Sequence, residues 1–158
     1  MNFDKIVVPT DFSPASDAAV AAAVELAARL GHDIVLLHAF TPPIYPLLDG
    51  AVIPTAEHVA DLVTQADRQL DALCARYAHK DVTIEPKLVQ GAAAEEILRY
   101  AEEQRCGLII MGTHGRSGMR RLVLGSIAEE VVRKATVPVL TIREDHKAAA
   151  REAHAHHG

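Results

Sequence analysis

Short apolar runs alternate with helix-like segments along this chain, and the alternation constrains the fold more than any other feature. Residues 33–40 (DIVLLHAF) and 108–111 (LIIM) are apolar almost throughout. Such runs are typical of central strands in a parallel sheet that is covered on both faces. Further strands are predicted at residues 5–9, 82–89 and 137–142, with helices between them. Five strands joined by helices predict an α/β domain with three layers and right-handed crossovers.

The helices are also marked by signals at their ends. Ser13 followed by Pro14 predicts the start of the first helix, and Gly31 predicts its end. Ser126 has capping-box spacing with Glu129, which predicts the start of the last helix. The clearest helical periodicity is an apolar stripe in the second helix that consists of Val59, Leu62, Val63, Ala66, Leu70, Leu73, Cys74 and Tyr77.

The segment TPPIYPLLDGAVIP, residues 41–54, interrupts the alternation. Its four prolines argue against a regular element, whereas its apolar side chains argue against a free linker. We expect a packed loop or lid.

The length, net charge and composition of the chain argue against several classes of function. A chain of 158 residues can form one domain with a sizeable core. A net charge of -5 argues against a general binder of nucleic acids or anionic membranes, and 4% aromatic residues argue against a stacking platform for single strands. No signal peptide or membrane span is visible, so a cytoplasmic protein is expected. Cys74 and Cys106 are expected to be small buried hydrophobes.

The stretch GTHGRSGMRRLVLGS, residues 112–126, lies between the fourth strand and the last helix. It contains four glycines and three arginines and no acidic residue. A loop of this kind aims backbone N–H groups and the positive end of a helix dipole at one point. Such a loop favours a phosphate group as its ligand.

A second polar loop, residues 10–13 (TDFS), follows the first strand. Ligands of parallel sheets bind beyond the carboxyl ends of the strands, where the strand order reverses. The two loops meet if the first and fourth strands are neighbours, and the sequence alone leaves that adjacency open.

The known phosphate-loop patterns can be compared with this chain by their spacing. No GxxxxGK[ST] run exists, and the turn after the first strand lacks the glycines of a dinucleotide fingerprint. A phosphorylated receiver domain would need an aspartate after the third strand and a lysine before the fifth, and neither is present. The pattern that remains is Gly112-x2-Gly115-x9-Gly125-Ser126.

This spacing resembles the ATP-binding signature of the universal stress protein family. The opening KIVVPTDFSPAS and the closing GSIAEEVVRKATVPVLTIR are similar to the first and last parts of that family, and the likeness covers residues 3–143. The resemblance implies an adenine nucleotide alpha hydrolase-like fold with strand order 3-2-1-4-5. It assigns residues 1–143 to one universal stress protein domain. The His-rich tail, residues 144–158, extends past the pattern and is expected to be a flexible terminus.

The resemblance also implies an ATP site. Gly112, Gly115, Gly125 and Ser126 would hold the phosphates, and Asp11 would face the ribose or adenine. With the residues that would line the adenine pocket and their neighbours, the twelve candidate site residues are Pro9, Thr10, Asp11, Ala39, Met111, Gly112, His114, Gly115, Arg116, Gly125, Ser126 and Ile127. A divalent ion, Mg²⁺ or Mn²⁺, would be carried on the phosphates, because no carboxylate cluster is visible to hold it.

Several of these residues also have purely structural interpretations. Ser126 could be the N-cap of the last helix, and Asp11 could bond its own turn. His114 could simply order its loop. His38 lies within an apolar strand and is interpreted as a hydrogen-bonded core histidine.

The functional interpretation is an ATP-binding, nucleotide-responsive stress-response module, not an efficient enzyme, because a cradle is present without an evident general base. A slow ATP hydrolase or phosphotransferase and a nucleotide-independent dimeric interaction module are the alternatives. No catalytic residue is assigned. The resemblance further implies a homodimer that pairs through the last strand, Val137 to Ile142.

Overall fold

A five-stranded parallel sheet forms the centre of the computed structural model, which describes residues 4–42, 45–47, 50–52, 55–114 and 124–144. In chain order the strands are β1 (Lys5–Pro9), β2 (Asp33–Phe40), β3 (Tyr45–Leu47), β4 (Gly50–Val52), β5 (Ile84–Gln90), β6 (Leu108–Gly112) and β7 (Val139–Ile142). The sheet has the order β5-β2-β1-β6-β7, and β3 pairs only with β4. The expected order 3-2-1-4-5 is thereby confirmed. The first and fourth strands of the sheet are neighbours, with Ile6 opposite Leu108 and Val7 opposite Ile109.

Helices cover both faces of the sheet and are α1 (Pro14–Leu30), α2 (Ala56–Arg76), α3 (Ala93–Glu103) and α4 (Ser126–Lys134). α1 begins and ends as predicted. The Ser13 hydroxyl accepts a hydrogen bond from the Ser16 N–H at 3.2 Å, and Gly31 ends the helix with a left-handed φ of 70°. None of the described helices combines the length and the apolarity that crossing a bilayer requires.

The strands bury side chains on both faces, which explains why their sequences are apolar throughout. On one face Ile6, Ile34 and Leu36 pack against α1 and α2, and on the other Val7, Val35 and Leu37 pack against α3 and α4. Because successive strand residues point to opposite faces, a strand between two helical layers needs an apolar residue at every position. The three-layer α/β prediction is confirmed.

The prediction of no regular element in residues 41–54 was wrong. β3 and β4 form an antiparallel pair in which Pro46 lies opposite Ala51. Each strand of a two-stranded pair has an edge without a partner strand, and proline is tolerated at such an edge. Residues 43–44, 48–49 and 53–54 lie outside the described residues, so packing of the whole segment stays a prediction.

Element boundaries differ from the predictions at three places. α3 ends at Glu103, earlier than the predicted Cys106-Gly107, because the chain turns at Arg105, whose φ is 51°. β5 begins at Ile84 and β7 at Val139, each two residues later than predicted. In the tail only Glu144 is described, and the prediction for residues 145–158 lies outside the described part of the chain.

The prediction that both cysteines are buried is confirmed for Cys106 and wrong for Cys74. Cys106 is buried, whereas Cys74 on α2 is half-buried.

Candidate functional site

A cavity of about 330 Å³ opens at the carboxyl ends of β1, β2 and β6. The N-terminal parts of α1, α3 and α4 form its remaining walls. The residues that line it are Pro9, Thr10, Asp11, Ser16, Leu37, Ala39, Ala93, Ile97, Met111, Gly112, Thr113, His114, Gly125, Ser126, Ile127 and Ala128. Ten of the twelve candidate site residues are among them. The other two, Gly115 and Arg116, lie in residues 115–123, outside the described part of the chain.

The loop after β1 forms a tightly bonded turn that places Asp11 at the cavity. The Thr10 N–H donates to the Leu37 carbonyl at 2.9 Å, and the Phe12 N–H donates to the Thr10 hydroxyl at 3.0 Å. Asp11 Oδ1 accepts from the Ser13 N–H at 3.0 Å, so Asp11 does bond its own turn while also lining the cavity. Phe12 has a φ of 62°, a left-handed conformation that few residues with a side chain adopt.

Three buried hydroxyls lie behind this turn. Thr10 Oγ1 and Ser16 Oγ are 3.2 Å apart, and the Ser16 hydroxyl donates to the Ser13 carbonyl at 2.9 Å. Because Thr10 and Ser16 both line the cavity, the first turn of α1 contributes a polar wall to it.

Gly112 ends β6 where the strand meets the first turn of α1. A Cβ at this position would lie 2.7 Å from the carbonyl oxygen of Ala15 and 3.1 Å from the amide nitrogen of Ser16. Real side chains do not approach backbone atoms that closely. Gly112 therefore has a packing reason to be glycine, in addition to the phosphate contact that the family resemblance implies.

The two ends of the glycine-rich segment are held together by main-chain bonds. The Gly125 N–H donates to the Thr113 carbonyl at 2.7 Å, and the Thr113 N–H donates to the Ile142 carbonyl at 3.0 Å. These bonds bring the start of α4 next to the end of β6, so that residues of both elements line one cavity. His114 lies within 2.9 Å of the Thr113 hydroxyl through its Nδ1.

The predicted N-cap role of Ser126 was wrong. Gly125 is the N-cap of α4, with φ −61° and ψ 156°, and no side chain caps this helix. The bond from Gly125 to Thr113 holds the glycine in the cap position, so Ser126 becomes the first helical residue. α3 likewise starts after Ala92 without a side-chain cap. Two helix N-termini without side-chain caps adjoin the cavity, an arrangement that favours an anion.

Sequence reasoning missed six lining residues, which are Ser16, Leu37, Ala93, Ile97, Thr113 and Ala128. Two of them carried a usable signal. Leu37 precedes Ala39 by two positions, so it shares a strand face with a predicted residue, and Ser16 lies one turn after the Ser13 cap. Ala93 and Ile97 share a face of α3, but no local pattern places α3 beside β1.

The walls of the cavity differ in chemistry. Leu37, Ile97 and Met111 are buried and apolar, whereas Asp11 is the only formally charged side chain among the described lining residues, with histidine counted as neutral. Within the described ranges no group of three or more His, Cys, Asp or Glu residues could hold a metal ion. An apolar slot beside uncapped helix ends and one carboxylate suits a ligand with a flat apolar part and an anionic part.

Similar sequences are found among known proteins. Universal stress protein MJ0531 of Methanocaldococcus jannaschii is 29% identical over 146 residues, which cover 92% of this chain and 85% of that protein. Universal stress protein YxiE of Bacillus subtilis is 30% identical over 147 residues, which cover 89% of this chain and 99% of that protein.

Solved structures have the same fold. The structure of MJ0577 from Methanocaldococcus jannaschii matches with a TM-score of 0.76 at 23% identity, over 92% of this chain and 99% of that one. A universal stress protein in complex with cAMP matches with a TM-score of 0.65 at 23% identity, over 92% and 100% of the two chains. The universal stress protein of Archaeoglobus fulgidus in complex with dAMP matches with a TM-score of 0.61 at 21% identity, over 90% and 99%.

The family assignment follows from the sequence itself. Residues 2–143 match the sequence profile of the Universal stress protein family, which is nearly the whole chain. The match includes every described element that lines the cavity. The chain belongs to the universal stress protein family.

Proposed function

We propose that this chain binds ATP in the cavity at the carboxyl ends of β1, β2 and β6, and that it acts as a nucleotide-responsive regulatory module. The observation that carries the proposal is the convergence of ten candidate site residues, from positions 9–39 and 111–127, on one cavity of about 330 Å³. That volume lies within the range of small-molecule sites. Two solved structures of the same fold hold adenine nucleotides, cAMP in one and dAMP in the other.

The adenine would lie against the apolar side of the cavity. Pro9, Thr10 and Ala39 border that side, and buried Leu37 and Ile97 extend it. The apolar parts of these side chains would contact the face of the base, and main-chain groups of β2 would form hydrogen bonds with its edge. Asp11, at the tip of the β1 turn, would accept hydrogen bonds from the ribose hydroxyls.

The phosphates would lie at the opposite end, where main-chain donors are present and none of the described lining residues is acidic. Gly112, Gly125 and Ser126 border this end, together with the uncapped N-terminus of α4. The helix end favours negative charge, and the Ser126 hydroxyl can donate to a phosphate oxygen. By sequence, Gly115 and Arg116 would complete the cradle. A Mg²⁺ or Mn²⁺ ion would be held by the phosphates, since the described residues provide no carboxylate cluster for it.

A binding role fits the lining better than rapid phosphoryl transfer does. Rapid transfer needs a positioned nucleophile or water, a base and metal ions on the phosphates. The described lining residues provide two possible bases, Asp11 and His114. Asp11 is engaged by the Ser13 N–H and His114 lies against the Thr113 hydroxyl. ATP hydrolysis at a rate far below that of dedicated ATPases is the expected result of a turnover assay with metal.

The most direct test is mass spectrometry of small molecules released when freshly purified protein is denatured. An adenine nucleotide at a substantial fraction of the protein concentration is expected. ATP, ADP and AMP are then titrated into stripped protein, and ATP should bind most tightly because the helix N-terminus acts on its phosphates. Absence of released nucleotide together with no binding of millimolar ATP would contradict the proposal.

A second proposal concerns assembly. We infer that two copies pair through β7, with cytoplasmic ATP as the ligand of each copy and no nucleic-acid partner. β7 lies at an end of the sheet, Leu140 is 41% exposed, and the strand carries no charged side chain. The opposite end, β5, exposes Glu85, Pro86 and Lys87, residues that discourage strand pairing.

The register of β7 is compatible with this pairing in spite of Pro138. The Pro138 carbonyl accepts from the Ile109 N–H at 3.0 Å, and the Ile142 carbonyl accepts from the Thr113 N–H at 3.0 Å. In a parallel strand the N–H and C=O groups of one residue point to the same side, and successive residues alternate between the two sides. Pro138 and Ile142 bond to β6, so the main-chain groups of Val139 and Thr141 point away from β6. The missing N–H of Pro138 is therefore on the β6 side, and the outer edge keeps its donors.

A further inference from the structure

His38 contacts the β1 turn of the candidate site without lining the cavity. It lies near the end of β2 and is half-buried. Its Nδ1 is 2.8 Å from the Thr10 carbonyl oxygen. Because a carbonyl oxygen only accepts, Nδ1 carries the proton and donates. This contact confirms that His38 is hydrogen-bonded and identifies its partner as a residue of the β1 turn, but His38 is half-buried and not part of the core that was predicted for it.

The same imidazole ring contacts the other side of that turn. The ring centroids of His38 and Phe12 are 4.6 Å apart, and the ring planes are inclined by 42°. Phe12 holds the left-handed conformation that reverses the chain after Asp11. His38 therefore contacts the residue before Asp11 and the residue after it.

We propose that His38 is a positioning residue that holds Asp11 in its orientation toward the nucleotide, an inference that rests on the proposed function. Two main-chain donors in the turn depend on this geometry. The Phe12 N–H donates to the Thr10 hydroxyl and the Ser13 N–H donates to Asp11 Oδ1, both at 3.0 Å. If the Thr10 carbonyl loses its donor and Phe12 its ring partner, Phe12 can leave the left-handed region, and Asp11 turns with it.

Two substitutions of similar size distinguish the effect of the hydrogen bond from the effect of side-chain volume. In His38→Asn the amide nitrogen is as many bonds from the main chain as Nδ1, so it can still donate to the Thr10 carbonyl. In His38→Leu the side chain has nearly the same shape as asparagine but no donor. If His38→Leu does not fold, His38→Gln replaces it, because its amide lies one bond farther out and misses the carbonyl.

The first readout is amide hydrogen exchange in nucleotide-free protein, measured at Phe12 and Ser13. Exchange at both amides is expected to accelerate about five- to tenfold in His38→Leu, the change that loss of one hydrogen bond produces, and to stay within about twofold of wild type in His38→Asn. Unchanged exchange in His38→Leu would overturn the proposal whether or not nucleotide binds.

The second readout is ATP affinity, measured in a double-mutant cycle with Asp11→Asn, which keeps one acceptor oxygen for the Ser13 N–H. We expect His38→Leu to weaken binding about five- to tenfold in the wild-type background and less than about twofold in Asp11→Asn, with His38→Asn close to wild type. An undiminished loss in Asp11→Asn, or unchanged affinity in His38→Leu despite faster exchange, would overturn the positioning role. If wild-type protein binds no adenine nucleotide, the proposed function fails, and exchange alone then decides whether His38 holds the turn.

Discussion

Gly112 lies where the end of β6 meets the first turn of α1, with the Ala15 carbonyl in the place a side chain would occupy. The contact is between two backbones, so neither side can yield by rotating a side chain. Both the packing against α1 and the proposed phosphate contact thus require a residue without a side chain at this position. Because both reasons act together, loss of ligand binding in a Gly112 variant would not by itself identify a phosphate contact.

Gly112→Ala is expected to lower the free energy of unfolding by about 1–3 kcal/mol, the usual consequence of overpacking. Urea denaturation measures the change. Gly31→Asn is the matched control, because Gly31 is left-handed at φ 70° with no atom within 4 Å of an added Cβ, and asparagine tolerates that conformation. A Gly112→Ala variant as stable as wild type would show that β6 can move away from α1.

Cys106 provides a prediction about pH. Burial raises the pKa of its thiol, and the nearby Lys5 only partly opposes the effect. Above about pH 8.5 the thiol ionises in the unfolded chain before it does so in the folded one. The unfolded state then binds fewer protons, so the thiol lowers stability as pH rises.

We expect Cys106→Ala to flatten the decline in unfolding free energy between about pH 8 and pH 10, by no more than about 1.4 kcal/mol per pH unit. Chemical denaturation at several pH values measures both slopes. Equal slopes in the variant and in wild type would show that the thiol ionises alike in both states.

At the scale of elements, the proposed pairing of two copies depends on the outer edge of β7. Its Thr141 is the residue whose N–H points away from β6, by the register with Met111. Proline there removes a donor from the outer edge without removing one from the bonds between β6 and β7. The outer edge can thus be changed separately from the fold.

Thr141→Pro is expected to convert the proposed dimer into a monomer, with the circular dichroism spectrum unchanged. Thr141→Val, which keeps the N–H, should stay dimeric. Size-exclusion chromatography with light scattering measures the mass of each. A stable monomeric mass for wild type, or a dimeric Thr141→Pro protein, would contradict pairing through β7.

Elements also show what the sequence can and cannot predict. β2 and β6 were predictable because strands covered on both faces must be apolar at every position, and α1 because Ser13, Pro14 and Gly31 mark its ends. The N-cap of α4 was not, since a tertiary bond from Gly125 to Thr113 moved it by one residue. The β3–β4 pair was missed because proline counts against a strand only where its nitrogen must donate.

At the scale of the whole molecule, the site exists because β1 and β6 are neighbours. No local pattern contains that adjacency; the sequence expectation of it came from family resemblance. The same limit applies to the α3 side of the cavity, where Ala93 and Ile97 reach the site only through the packing of α3 against the sheet. Most lining residues next to glycines and strand ends were predictable, although Thr113 was missed, and the α3 residues brought in by packing were not.

The central claim, that ATP occupies this cavity, is tested most directly by calorimetric titration of ATP into protein stripped of nucleotide. Wild-type protein should bind about one ATP per chain, and Ala39→Phe, which fills the apolar end of the cavity, should weaken binding at least tenfold. Ala21→Phe, at an exposed position of α1 outside the cavity, should bind like wild type. No binding by wild type at millimolar ATP, or equal affinity in Ala39→Phe, would contradict the account.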